Sequence, residues 1–323
     1  MKKIEILKRD VRLLFGLSSY VTKEENDLTA KYYIDSSTPN INHKIHIFMV
    51  DGRSVHGGLA DRLKGIVSNY LYAKEHKIRF YINFKYPFKL EDYLVPNIYD
   101  WTINEKDICY NSKYSRPLLV NTHQLSQKFH RLYLWLHSFG YKQIHIYSNS
   151  EYGNPYFSSL FSELFKPSRR LQEDIDKNLA AINGEYISAT FRFQQLLGDF
   201  KERNYPTLSK EEQGLLIKKC QKQLDQLHNL YPNMCILVTA DSGKFLDSVR
   251  HLDYVYVIPG KVVHMDYTDN VPFEVYEKSF LDFYLIANAN KIHLFYNKQM
   301  YHSGFPKLAS LLFKHDYYER YFE

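Results

Sequence analysis

The chain has 323 residues, 45% of them hydrophobic, which is more apolar material than one core ordinarily serves and predicts two domains. Its 42 basic and 36 acidic residues give a formal charge of +6 that is spread along the sequence, and its 29 Tyr and 21 Phe fall inside apolar runs, so neither a basic arm nor an aromatic platform for nucleic acid is present. Cys109, Cys220 and Cys235 form no CxxC pair, which argues against a disulfide framework or a thiolate zinc site and fits a reducing compartment.

The opening segment, MKKIEILKRDVRLLFGL, is interrupted by charge too often for a signal peptide or a membrane span. The expectation is a cytoplasmic protein whose basic residues allow peripheral contact with an acidic membrane surface. The first predicted strand is KIHIFMV at 44–50, followed by the polar turn from Asp51 to Ser54. After His56-Gly57-Gly58, the residues Leu59, Leu63, Ile66, Val67, Tyr70 and Leu71 recur at helical spacing, and IRFYINF at 78–84 supplies a second strand. LSQKFHRLYLWLHSFG then reads as a helix and QIHIYS as a strand.

Residues 151–183 carry prolines and polar helix signals, and the βα pattern restarts at Glu185, so the domains are expected at 1–184 and 185–323. In the second half YISATF (186–191), MCILVTA (234–240), YVYVI (254–258) and KIHLF (291–295) read as strands. Ser209 with Glu212 forms a capping box opening a charged helix to residue 230, and PFEVYEKSFLDFYLIANA and FPKLASLLF supply the later helices. Short apolar strands alternating with helices predict parallel βαβ units, in which ligands bind outside the carboxyl ends of strands.

Four such ends stand out. His56-Gly57-Gly58 precedes a helix, where glycines let backbone N–H groups approach an anion, although such a pair is also a common turn. Arg192 ends the strand YISATF and could neutralise a departing diphosphate, or simply begin a surface loop. Thr239-Ala240-Asp241-Ser242 places a carboxylate where it could accept from the ring N–H and amine of guanine, or cap the next helix. Ser303-Gly304-Phe305-Pro306 precedes the last helix, as a phosphate turn or as a capped end. Asp51 and Asp61 are candidate bases with local capping as the alternative, and His264 borders a further βα loop. Asp282 sits at helical spacing among apolar residues, as a structural hydrogen-bonding group would. Asp174-Ile175-Asp176 is formally a metal-binding DxD, but in RRLQEDIDKNLAAI it lies on a helix, where i and i+2 do not face one another.

In this order the segments resemble those of the fucosyltransferase superfamily of α-1,2, α-1,6 and protein O-fucosyltransferases. GGLADRLKGIVSNYLYA is similar to its glycine loop and first helix, FRFQQLLGD to a degraded first donor motif, VTADS to its TD-type motif, and EKSFLDFYLIANANKIHLFYNKQMYHSGFPKLASLL to its third motif. The resemblance covers residues 44–75 and most of 185–313. Two positions depart from it: Thr190 stands where the family's His-x-Arg histidine would be, and Asp61 replaces a common Asn.

The resemblance implies an α/β GT-B fold of two Rossmann-like domains facing a central cleft, the first on the acceptor side and the second binding the nucleotide sugar, with the last helix packing back on the first. It further implies a metal-independent, inverting transfer of fucose from GDP-fucose to a glycan or glycolipid hydroxyl, with no cofactor. His56, Gly57, Gly58, Arg192, Thr239, Asp241, Ser242, Ser303, Gly304 and Phe305 would hold the donor, Asp241 on the guanine. The alternatives are a transferase using another nucleotide sugar and a non-catalytic glycan- or nucleotide-binding protein.

Overall fold

A computed structural model describes residues 2–15, 23–33, 35–120, 125–152, 154–200, 206–260, 265 and 271–323. The chain divides into two compact units, Met1–Lys166 and Pro167–Glu323.

The first unit opens with helices α1 (Lys2–Leu14) and α2 (Lys23–Ala30) and continues through β1 (Ile45–Val50), α3 (Leu59–Glu75) and β2 (Arg79–Phe84). There follow β3 (Leu94–Pro96), β4 (Ser115–Val120), α4 (His130–His137), β5 (Gln143–Ser148), α5 (Phe157–Leu164) and β6 (Phe165–Pro167). Its main sheet has the order β2-β1-β5-β4 and is parallel throughout. Parallel strands need both faces covered, which is why IHIFMV and QIHIYS are buried at every position, histidines included. β3 and β6 form a separate two-stranded sheet.

One close approach fixes α3 on this sheet. A Cβ built on Gly65 would lie 2.5 Å from the Ser148 carbonyl oxygen at the end of β5, a backbone atom with no rotamer to move. On an open helix face alanine would gain about 1 kcal/mol over glycine. Here Gly65→Ala is expected to lower the free energy of unfolding by about 1–3 kcal/mol instead, because the added methyl overpacks the contact. Urea unfolding followed by circular dichroism measures this, and a stabilised variant would contradict the packing described.

The second unit contains α6 (Arg169–Ile182), β7 (Tyr186–Phe191), α7 (Lys210–Leu230), β8 (Cys235–Ala240), α8 (Gly243–Val249), β9 (Val255–Tyr256), α9 (Phe273–Asn288), β10 (Lys291–Tyr296), α10 (Phe305–Phe313) and β11 (Asp316–Tyr321). Its sheet runs β11-β10-β7-β8-β9, again all parallel. Counted from the unit's first strand this is the order 3-2-1-4-5 of the Rossmann fold. Leu216, Cys220, Leu224 and Leu227 of α7 pack with Phe191, Phe193, Phe245 and Val249 in one buried core. The capping box that starts α7 is formed, with the Ser209 hydroxyl accepting from Glu212 N and the Glu212 carboxylate from Ser209 N.

Three expectations are revised. The units divide one helix earlier than 184/185, because α6 packs on α9 and so belongs to the second unit. The second sheet does not end with the strand before the last helix: α10, packed on α9 and β10, is the crossover to an edge strand β11 that the polar sequence DYYERY did not announce. The strand expected over 254–258 is only the two residues Val255 and Tyr256. The three cysteines are free thiols, Cys109 and Cys220 among them buried. Among the described residues no helix is long and apolar enough to cross a membrane.

Candidate functional site

In the second unit the chain adds β8 and β9 on one side of β7 and then β10 and β11 on the other, a single reversal between β7 and β10, and in the first unit β1 lies between β2, added next, and β5, added last. The carboxyl ends of strands flanking such a switch diverge and leave a crevice for ligands. The residues singled out in the sequence gather at these two places, one set in each unit.

In the second unit Arg192 follows the last residue of β7. Its Nε lies 3.2 Å from Asp241 Oδ2 and its guanidinium stands 4.6 Å from the centre of the Phe200 ring, with part of the side chain open to solvent. Asp241 follows β8, next in the sheet, and its side chain is buried. The carboxylate accepts from Phe193 N at 2.8 Å through Oδ1 and from Gln194 N at 2.7 Å through Oδ2. Gln194 has φ of +54°, a left-handed conformation that costs an L-residue roughly 1–2 kcal/mol. The Asp241 carboxylate therefore holds a strained turn closed and, by doing so, fixes where the arginine points. Burial pushes its pKa up to about 6, against the opposing pull of Arg192 and of the two backbone donors.

These contacts give Asp241 a structural role that its expected guanine contact did not include: each oxygen accepts a backbone N–H of the 192–194 turn, and Oδ2 also faces Arg192. Thr239 is likewise committed, its hydroxyl 2.9 Å from that of Thr190, its cross-strand partner in register. Ser242 caps α8 by accepting from Phe245 N at 3.1 Å, and donates to Asp199 Oδ2 at 2.9 Å. Asp199 also accepts from Lys244 N at 2.8 Å. It was not singled out in the sequence, although the segment FRFQQLLGD ends on it.

The third strand end joins the first directly, since Tyr301 N donates to the Arg192 carbonyl at 3.1 Å. Ser303 is buried and its hydroxyl accepts from Phe305 N at 3.3 Å. Gly304 is the N-cap of α10, with Pro306 in the first turn, and nothing lies within 4 Å of where its Cβ would be. The positive end of a nine-residue helix thus opens onto free space at the same switch that presents Arg192. Phe305 packs edge-on at 5.8 Å against Phe283 of α9 and stays partly exposed.

The other set lies in the first unit. Gly57 has φ of +84°, and a Cβ there would come within 2.4 Å of Asp61 Oδ2, so only glycine fits. Its carbonyl accepts from Arg62 Nε at 3.0 Å, and Arg62 NH1 donates to the Tyr86 carbonyl, also at 3.0 Å. Arg62 is almost fully buried, a charge in the apolar stretch of α3 that marks it as the strut of this loop. Gly58 caps α3 with open space beside it. Asp61 remains partly exposed, paired with Lys64 at 2.6 Å. His56 is buried near Tyr147 and Phe48, and burial with the nearby Arg62 lowers its pKa to about 3, so the ring is neutral at physiological pH. Asp51 has both oxygens engaged, Oδ1 by Arg53 N at 3.1 Å and Oδ2 by the Arg53 guanidinium at 2.5 Å and Tyr147 OH at 3.2 Å. Of the two candidate bases, Asp61 has the greater exposure.

Asp282 forms a buried ion pair with Lys278 one turn earlier in α9. Of the DxD residues, Asp176 is exposed and accepts from Gln172 at 2.8 Å, while Asp174 interacts with Glu277 of α9. Among the described residues no group of three or more His, Cys, Asp or Glu could hold a metal ion. His264 lies outside the described residues.

No protein-family model and no curated protein sequence matches the chain. Solved structures do. Fucosyltransferase NodZ from Bradyrhizobium aligns at 14% identity over 84% of this chain and 94% of its own, with a TM-score of 0.55. Arabidopsis thaliana FUT1 in complex with GDP aligns at 11% identity over 97% of this chain and 78% of its own, also at 0.55. NodZ alpha-1,6-fucosyltransferase soaked with GDP-fucose aligns at 13% over 83% and 92%, at 0.51. The chain has their GT-B fold. At this identity the likeness speaks for architecture, and the chemistry rests on the side chains described above.

Proposed function

We propose that this protein is a glycosyltransferase that takes fucose from GDP-fucose and passes it to a glycan hydroxyl. The observation that carries the reading is the Arg192–Asp241 pair: a guanidinium held at the sheet's switch point by a buried carboxylate, beside the open N-terminus of α10. Two further findings support it, the shared GT-B fold and the GDP-fucose or GDP bound in the similar enzymes.

In the reaction the acceptor oxygen attacks the anomeric carbon as the bond from that carbon to the β-phosphate oxygen breaks. GDP leaves with the bonding electron pair, and the acceptor proton passes to a base. Negative charge grows on the diphosphate in the transition state, so donors already fixed around it stabilise that state most. Arg192 can offer two parallel N–H groups to phosphate oxygens, and the α10 terminus adds partial positive charge. Displacement in line inverts the anomeric carbon. Fixed charge in this arrangement does what a bound divalent ion would otherwise do, and turnover is therefore expected to survive chelators.

Thermal stabilisation by GDP, UDP and CMP, followed by GDP-fucose hydrolysis with and without EDTA, tests the reading. The expected result is greatest stabilisation by GDP and chelator-insensitive release of fucose. Stronger stabilisation by UDP would show that another nucleotide sugar is the donor, and tight binding with no turnover would make the protein a binding module.

A further inference from the structure

On the first unit, α1 turns only part of its apolar surface inward. Asp10, Leu13 and Leu14 are buried, and two contacts tie this side to the start and end of α4. Asp10 Oδ1 accepts from Ser126 N at 3.2 Å, and His137 Nε2 is 2.9 Å from the Leu14 carbonyl. Ile4, Leu7, Val11 and Phe15, spaced by three and four residues, occupy the adjoining face and are exposed, Phe15 by 70%. α4 repeats the pattern. His130, Tyr133, Leu134 and His137 are buried, while Leu132, Trp135 and Phe139 are exposed, with Trp135 and Phe139 in edge contact at 5.0 Å.

Basic residues border this surface. Lys3, Lys8 and Arg12 are exposed on α1, Lys128 and Arg131 stand at the start of α4, and Lys44 lies 5.9 Å from the Phe139 ring. The acidic groups nearby are few: Glu5 is exposed, Asp10 is buried against Arg9, Glu25 accepts from Tyr133 OH of α4 at 3.1 Å, and Glu75 is paired with Arg131. Two helices that are folded onto the unit by one face and present apolar and aromatic side chains rimmed by Lys and Arg on the other have the make-up of an interfacial membrane-binding surface. Charge complementarity selects anionic lipid over a neutral bilayer or a second copy of the same basic face.

We infer that α1 and α4 form a peripheral docking surface for anionic membranes, with Leu7, Val11, Phe15, Trp135 and Phe139 entering the headgroup region and Lys8, Arg12 and Lys128 meeting lipid phosphates. The inference is independent of the donor reading. It places the enzyme's first unit at a bilayer, where a lipid-linked acceptor would be found.

The protein carries its own reporter. It has two tryptophans, and Trp101 is fully buried whereas Trp135 is 48% exposed, so a change in emission on adding vesicles comes from Trp135. With the full chain, phosphatidylcholine vesicles containing phosphatidylglycerol should shift Trp135 emission to the blue and quench it when the acyl chains are brominated. Pure phosphatidylcholine should do neither. In co-sedimentation, Lys8→Ala with Arg12→Ala should weaken binding to the anionic vesicles roughly 25-fold, about fivefold for each basic side chain near the surface. Leu7→Asp with Val11→Asp should abolish it. These side chains are exposed, and unchanged circular dichroism will show the variants folded. The inference is overturned if anionic vesicles neither shift the emission nor sediment the protein, if neutral vesicles bind equally, or if the face instead forms a concentration-dependent dimer that Val11→Asp dissolves.

Discussion

Arg192→Ala is expected to lower turnover of GDP-fucose by about 10²–10³-fold, the range found when one preorganised donor to a developing anion is removed. Most of the loss should fall on kcat. The ground-state diphosphate is already charged, but the extra charge that arrives as the sugar leaves is what a fixed guanidinium stabilises preferentially. Arg192→Lys should recover only part of the rate, since an ammonium keeps the charge but can make neither the paired N–H contacts to phosphate nor the Nε contact to Asp241. A fall confined to KM would indicate that Arg192 only collects substrate. No fall would remove it from the site.

Asp241→Asn is expected to cost about 10²-fold in turnover while leaving the fold nearly as stable. An amide offers one acceptor where the carboxylate serves both Phe193 N and Gln194 N, and its NH₂ must face one of those donors. The strained Gln194 turn then relaxes and carries Arg192 out of alignment, and a displacement of an ångström is enough for a loss of this order. Stability changes little because two effects offset. The backbone N–H left facing the amide NH₂ loses its acceptor at a cost of about 1–3 kcal/mol, and removing a buried charge whose pKa is raised to about 6 returns on the order of 3 kcal/mol at pH 7.

The same group sets opposite pH trends for stability and activity. The folded pKa of Asp241, about 6, lies above the ordinary 3.8, so the fold favours its protonated form. Its contribution to stability is complete below the ordinary value and is lost as pH rises through about 6. Turnover runs the other way, falling as protonation below about 6 removes the partner of Arg192. The wild type should therefore lose activity between pH 7 and 5 without a matching loss of this stability increment, and the Asn variant should show no such step.

Much of the fold was legible because buried parallel strands are short apolar runs whose pattern survives without context. QIHIYS and YISATF were bounded correctly to the residue, and KIHIFMV lost only its first residue. Two of the edge strands, β4 and β11, were not legible. β4 contains Pro117, tolerable only because the strand lies at the sheet's edge, and β11 is polar because one side of it is solvent. The places where side chains gather were readable from strand ends, but their roles were not. An aspartate after a strand looks the same whether it faces a ligand or the backbone of a turn nearly fifty residues away, and Asp241 does the second. Arg62 and Gly65 left a weaker trace, a charge and a glycine inside an apolar helix, which marks the loop and the strand they pack against.

The most direct measurement is a crystal structure of the protein with GDP-fucose. The diphosphate is expected at the β7–β10 switch of the second unit, in contact with the Arg192 guanidinium and the Gly304 end of α10, with Asp241 still bonded to Phe193 N and Gln194 N. A diphosphate bound elsewhere, or Asp241 released from that turn, would contradict the proposed site.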